Sequence, residues 1–243
     1  MRAARFFVDE PLALNIKIAL PERVAHHALR VLRLRDGDPI VLFNGTGGEF
    51  GARLSISGSR THAFVETFAA VERESPLCLT LVQSWVAADK LDWIVEKAVE
   101  LGVNSIWLAP AQRSVTRLTG DRLGKRIDRL RELIVAACAQ CGRNRVPCIE
   151  AGASLAASLQ VALGGETRGV LLHPGAELPL IKVPLNRGVA VAVGPEGGFD
   201  DDELALARRL GYQAYGVGPR VLRTETAGLA ALAALQSVAG DFR

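Results

Sequence analysis

An α/β fold, with a parallel sheet covered by helices on both faces and a smaller β-rich region in front of it, is what this sequence predicts. Three observations carry that reading. Apolar runs without polar alternation, such as Val189-Ala190-Val191-Ala192-Val193, suit strands buried on both faces. From residue 77 onward such runs alternate with helical patterns, the signature of strand–helix–strand units. Before residue 72, strand-like segments instead follow one another across glycine turns, with a single helical stretch ahead of them.

The elements follow in chain order. Residues 22–34 have helical spacing, closed by Asp36-Gly37-Asp38. Residues 39–43, 49–56 and 62–68 read as strands. Asn44-Gly45-Thr46-Gly47-Gly48 and Ser57-Gly58-Ser59-Arg60 separate them with typical turn chemistry. A small barrel fits that pattern. Glu72-Arg73-Glu74-Ser75-Pro76 is polar and holds a proline, so the linker is placed there and the expected domains are 1–73 and 74–243. Beyond it, 77–82 is an expected strand, 89–101 a helix, 105–109 a strand and 121–141 a long helix. Residues 170–172 and 189–193 are further strands. Asp200 with Glu203 reads as a capping box opening the next helix.

Bulk properties narrow the function classes. A chain of 243 residues, 49% hydrophobic and 23% charged, can bury a sizeable core and is not disordered. Its net charge of +3 requires any nucleic-acid partner to be met by a local patch. No run approaches the roughly 20 apolar residues of a membrane span. Asp9 and Glu10 interrupt the apolar N-terminal stretch, so a cytoplasmic protein without a membrane role is expected. Four cysteines do not make a disulfide scaffold. Cys138, Cys141 and Cys148 have no second Cys pair and no nearby His, so they read as buried thiols and no metal is expected.

Two glycine-rich loops carry the chemistry. Gly194-Pro195-Glu196-Gly197-Gly198-Phe199 follows an apolar strand, and Gly216 to Ala227 runs into a helix rich in Ala and Leu. Neither a Gly-x-Gly-x-x-Gly spacing in the first loop nor a Gly-Lys-Ser/Thr phosphate loop is present. Asp200, Asp201, Asp202 and Glu203 crowd the next helix start. They complement its dipole but would repel a pyrophosphate, which favours a neutral or cationic adenosine ligand. Arg223 and Glu225 flank Thr224. Structurally, Thr224 or Thr226 caps the last helix and Arg223 pairs with Glu225. Functionally, Arg223 donates to an anionic or carbonyl-rich substrate and Glu225 orients it; both readings stand. Arg113, Arg117, Arg122, Lys125, Arg126, Arg129 and Arg131 form one basic stretch, continued by Arg143 and Arg145. Arg2, Arg5, Arg23, Arg30, Arg33 and Arg35 form another. These are either solvated faces or two sides of a phosphate-backbone site.

The two loops closely resemble the signature motifs of the ribosomal RNA small subunit methyltransferase E family, uridine-N3 methyltransferases of 16S ribosomal RNA within the SPOUT superfamily. The likeness extends over nearly the whole chain, through His27 to Arg33, Lys90 to Val103, Arg113-Ser114 and Gln140 to Pro147. The resemblance implies a SPOUT-type α/β knot, that is, a trefoil-knotted parallel sheet, with a small N-terminal PUA-like β-barrel. It also implies a homodimer and S-adenosylmethionine bound among the knot loops. On this reading Leu171, Leu172, His173, Val193, Gly194, Pro195, Glu196, Gly198, Val217, Gly218, Val221, Leu222, Thr226 and Ala227 hold the cofactor. Arg223 and Glu225 are catalytic, and Arg5, Arg30, Arg33, Arg113 and Arg143 contact the phosphates of 16S rRNA or the small ribosomal subunit. One departure is visible: Gly175 stands after His173-Pro174, where many members carry Glu. The rival reading is a non-enzymatic RNA-binding or ribosome-assembly protein, which calorimetry with S-adenosylmethionine distinguishes.

Overall fold

The computed structural model describes residues 3–58, 60–116, 118–185 and 187–242; Arg2 and Arg117 of the basic stretches lie outside the described residues. The chain divides into two compact units. One contains the residues up to Glu74 together with Cys138–Val146. The other contains Ser75–Ala137 and the residues from Pro147 onward.

The first unit is a five-stranded sheet of β1 (Ala4–Phe7), β2 (Lys17–Ala19), β3 (Pro39–Phe43), β4 (Glu49–Ser57) and β5 (Arg60–Ala69), in the order β1-β3-β4-β5-β2. β1 runs parallel to β3 and the other pairs are antiparallel. Alternate residues such as Ile40, Leu42, Ala52, Leu54, Ala63 and Val65 turn to one side and form the core with Phe6, Ile18 and Ala28. The helix expected over 22–34 is shorter. α1 (Glu22–His26) passes into a π-helical turn, His27–Val31. Arg33 then takes φ 55°, which no right-handed helix can continue through.

The segment 142–146 is tied into this unit by charge and backbone pairing. The Arg5 guanidinium donates to the carbonyls of Gly142 and Arg143 and, at 2.6 Å, to Asn144 Oδ1. Asn144 Nδ2 donates to the Val71 carbonyl, and Arg73 to that of Gly142. Arg145 pairs with Glu72, and Arg143 with Glu74.

The second unit contains β6 (Cys78–Ser84), α2 (Ala88–Glu100), β7 (Ser105–Ala109), α3 (Gly120–Cys141, its end from Cys138 grouping with the first unit), β8 (Cys148–Ala151), α4 (Leu155–Ala162), β9 (Thr167–Leu172), β10 (Gly188–Val193), α5 (Asp201–Arg209), β11 (Tyr212–Tyr215) and α6 (Thr224–Ala239). All six strands are parallel, in the order β11-β9-β10-β6-β7-β8. Every residue of β10 is buried. Its Ala190 and Ala192 join a core with Leu155 and Leu159 of α4 and Ala207 of α5. Val193, on the alternate side, meets α6 at Gly228. Helices therefore cover both faces, which is why the strand carries no polar residue.

The expected capping box forms: Asp200 accepts from Glu203 N–H, and the Glu203 carboxylate accepts from Asp200 N–H. Among the clustered cysteines Cys138 is buried, and burial pushes its thiol up to about 12. Cys148 is exposed. Among the described residues no group of three or more His, Cys, Asp or Glu could hold a metal ion, and no helix is long and apolar enough to cross a membrane.

Candidate functional site

Three adjacent strands, β11, β9 and β10, end at the same edge of the sheet, because parallel strands present their carboxyl ends together. The loops leaving them, at His173, Gly194 and Gly216, surround a cavity of about 610 Å³. The apolar strand ends Leu172, Val193 and Tyr215 line it with Phe199 of the following loop, all at least nine-tenths buried. Above them stand loop backbone and a charged group consisting of Lys90, Arg113, Glu196, Arg220, Arg223 and Glu225.

A buried hydroxyl joins the two glycine loops. Thr224 Oγ1 donates to the Gly194 carbonyl at 2.6 Å, and Gln83 Nε2 at the end of β6 donates to Thr224 Oγ1 at 3.1 Å. Both side chains are buried, so each bond replaces a hydration that burial has removed. Thr224 was an expected helix cap. It makes no capping bond: α6 begins at Thr224 with Arg223 as its flanking residue, and the hydroxyl is committed to the other loop.

Gly194 is required where it stands. A Cβ there would lie 3.1 Å from Phe199 N and 3.2 Å from Gly198 Cα, both backbone atoms of the same folded loop. Gly175 sits at φ 89°, the left-handed region that glycine adopts without strain, so the residue that departs from the family pattern also has its own backbone requirement.

The charged rim is organised around Lys90 in the first turn of α2. Its ammonium donates to Glu196 Oε1 at 3.0 Å and lies 3.9 Å from Glu225 Oε2. The hydrogen bond to Glu196 raises the Lys90 ammonium above its ordinary value. Burial alone would raise the Glu196 carboxyl, but the Lys90 ammonium and backbone hydrogen bonds together outweigh it and hold the carboxyl below the usual range. Arg223 does not pair with Glu225. Among the described residues no hydrogen bond or ion pair engages its guanidinium, which is exposed at the cavity rim. Arg113 donates to the Gly197 carbonyl at 2.9 Å. Glu203, besides closing its capping box, accepts from Gln112 N–H at 2.8 Å.

Most of the expected cofactor residues line this one cavity, as do Arg223 and Glu225. Leu171 does not. It is the strand residue before Leu172 and turns the other way, into the core with Ala190 and Ala192. Thr226 does not either: it is exposed, and its N–H bonds back to the Arg223 carbonyl. Arg30 and Arg33 are exposed on the first unit, and Arg113 is exposed on the second. Arg5 and Arg143 need correcting as phosphate contacts. Their side chains are only 6% and 5% exposed, and each is paired with a carboxylate, Glu49 and Glu74. Lys90 was missed as a site residue. Its only sequence signal was its place in the helix motif that follows β6.

A sequence profile of the RNA methyltransferase domain matches residues 73–236, and one of the RNA methyltransferase PUA domain matches residues 20–67. Ribosomal RNA small subunit methyltransferase E of Mesomycoplasma hyopneumoniae is 32% identical, over 93% of this chain and 95% of that protein. The crystal structure of the Neisseria gonorrhoeae enzyme of that name, bound to S-adenosylmethionine, is 34% identical with a TM-score of 0.89, over the full length of both chains. A Legionella pneumophila protein solved with bound S-adenosylmethionine is 30% identical with a TM-score of 0.92, again over both full lengths. The parallel-sheet unit with its PUA-like partner is thus the SPOUT-type architecture, and the chain belongs to the ribosomal RNA small subunit methyltransferase E family.

Proposed function

We propose that the protein transfers a methyl group from S-adenosylmethionine to N3 of a uridine in 16S ribosomal RNA, acting as a homodimer in the cytoplasm. The observation that carries this reading is the cavity at the carboxyl edge of β9, β10 and β11, walled by the two glycine loops with Arg223 and Glu225 on its rim. Relatives spanning the whole chain bind that cofactor.

The residues present fit the cofactor. Leu172, Val193, Tyr215, Val221 and Leu222 offer apolar surface to an adenine, and the backbone of both loops offers hydrogen bonds at close range. Glu196 and Glu225 stand there beside four cationic side chains, so the fit rests on the apolar walls and the loop backbone. When bound, S-adenosylmethionine supplies an electrophilic methyl group on a positively charged sulfur. Uracil N3 is a weakly acidic imide nitrogen on the Watson–Crick edge, so the base must be unpaired to reach Glu225 and Arg223. The Arg223 guanidinium stabilises the negative charge that spreads to the flanking carbonyl oxygens as the N3 proton departs to a carboxylate. Arg30 and Arg33 on the PUA-like region, with Arg113, hold phosphates. A trefoil knot is supported by the path of residues 216–223. They carry the chain from the edge strand β11 back to the middle of the sheet, where α6 packs on β10 and β6.

Two experiments test this. Small subunits or 16S rRNA lacking the modification, incubated with the protein and methyl-labelled S-adenosylmethionine, should yield labelled 3-methyluridine on nucleoside mass spectrometry. Absence of label from both substrates would sink the reading. Gly194→Ala should weaken cofactor binding by calorimetry about ten-fold, roughly 1.4 kcal/mol, because the new Cβ forces the loop backbone apart. An unchanged affinity would remove the Gly194 loop from the site.

A further inference from the structure

Two carboxylates, Glu196 in the first glycine loop and Glu225 in the first turn of α6, face one ammonium at the cavity rim. Lys90 hydrogen-bonds Glu196, and its nitrogen stands 3.9 Å from Glu225 Oε2, too far for a hydrogen bond. Glu225 Oε2 is buried and accepts no hydrogen bond. The Glu225 side chain is only 19% exposed, against 32% for Glu196 and 28% for Lys90. A buried carboxylate oxygen without a hydrogen bond depends on a nearby cation, and among the described residues the Lys90 ammonium is the one within 4 Å. Arg113, His173, Tyr215, Arg220 and Arg223 are the other titratable or charged side chains lining the cavity. Among the described residues, none of them forms an ion pair with Glu225.

We propose that Lys90 is a positioning residue for the methyl transfer: it occupies Glu196 by a hydrogen bond and sets its charge beside Glu225 without committing it, which makes Glu225 the acceptor of the N3 proton. This deepens the reading given under Proposed function and rests on it. The atoms balance. The N3 proton passes to the Glu225 carboxylate, and the electron pair left on N3 forms the new bond to the methyl carbon. The carbon–sulfur pair leaves with a neutral thioether, and the carboxyl then returns its proton to water. Glu196 is the poorer acceptor because its bond to the Lys90 ammonium favours the charged carboxylate and so makes it less ready to take a proton.

The test compares wild type, Lys90→Met and Lys90→Arg in two measurements. One is the pH profile of single-turnover methyl transfer. The other is a carbon-13 NMR titration of Glu-labelled, cofactor-free protein, with the Glu225 signal assigned by its loss in Glu225→Gln. In Lys90→Met, both the acidic limb of the profile and the Glu225 titration should move up by about one pH unit, a ten-fold loss of rate on the acidic side. Cofactor affinity should stay within about three-fold, and Lys90→Arg should restore both curves toward wild type. An acidic limb and a Glu225 titration that stay put in Lys90→Met overturn the proposal. So does a loss confined to cofactor affinity, which would make Lys90 a ligand contact. If wild type itself transfers no methyl group, the enzymatic reading fails instead, and the NMR arm still reports whether Lys90 governs Glu225.

Discussion

Replacing Arg223 by alanine is expected to lower kcat/KM for methyl transfer by about 10²–10³, or roughly 3–4 kcal/mol of transition-state stabilisation. Cofactor affinity should change by less than about three-fold. The guanidinium makes no hydrogen bond or ion pair among the described residues, and, like that of Arg220 before it, it lines the cavity. Arg223 differs from Arg220 in standing directly beside Thr224, whose hydroxyl is bonded to the Gly194 loop, so its donors are free within the space a substrate must enter. The charge it meets there exists only as the base loses its proton, so its effect falls on kcat and leaves ground-state binding nearly intact. Arg223→Lys should recover only part of the loss, because a single ammonium cannot donate in the planar fork of a guanidinium. Turnover by Arg223→Ala within a factor of three of wild type would remove Arg223 from the chemistry.

The second unit was largely legible because its signals are local. A run such as Val189–Val193 between glycines has few ways to be satisfied other than in the middle of a covered sheet. The Asp200 and Glu203 capping box could be read from spacing alone, and it forms. β1, β2 and β8 escaped notice because each has four residues or fewer, too short for a period to show. The role of Thr224 escaped for a different reason. Its helix-start position made capping the natural expectation, while its actual partner, the Gly194 carbonyl, lies thirty residues away in sequence. Lys90 is the same kind of case. A lysine in the first turn of an amphipathic helix reads as solvated until Glu196 and Glu225 are brought to it. The arginines separate in a similar way. Sequence gives their number and clustering, but only the fold shows that Arg5 and Arg143 are paired inside while Arg30 and Arg33 face outward.

That distinction makes Arg143→Ala the sharpest test of the first unit. Arg143 Nε donates to Glu74 Oε1 at 3.0 Å, and a second nitrogen donates to Glu74 Oε2, so the pair is bidentate. The two side chains are 5% and 15% exposed. Removing the guanidinium strands a carboxylate where water reaches it poorly, and breaking such a pair costs about 3 kcal/mol. The neighbouring contacts cannot absorb that loss. Arg5 is already shared between Glu49 and the 142–144 backbone, and Arg145 is held by Glu72. We therefore expect Arg143→Ala to lower the denaturation midpoint strongly, with local hydrogen exchange rising first in 142–146. The salt dependence of RNA binding, measured where the variant is still folded, should match wild type. Arg30→Ala and Arg33→Ala should do the reverse, flattening the salt dependence by about one counterion each while leaving stability within about 0.5 kcal/mol of wild type. If Arg143→Ala instead flattens the salt dependence at unchanged stability, the guanidinium belongs to the RNA site, and the buried pair with Glu74 is not its role in solution.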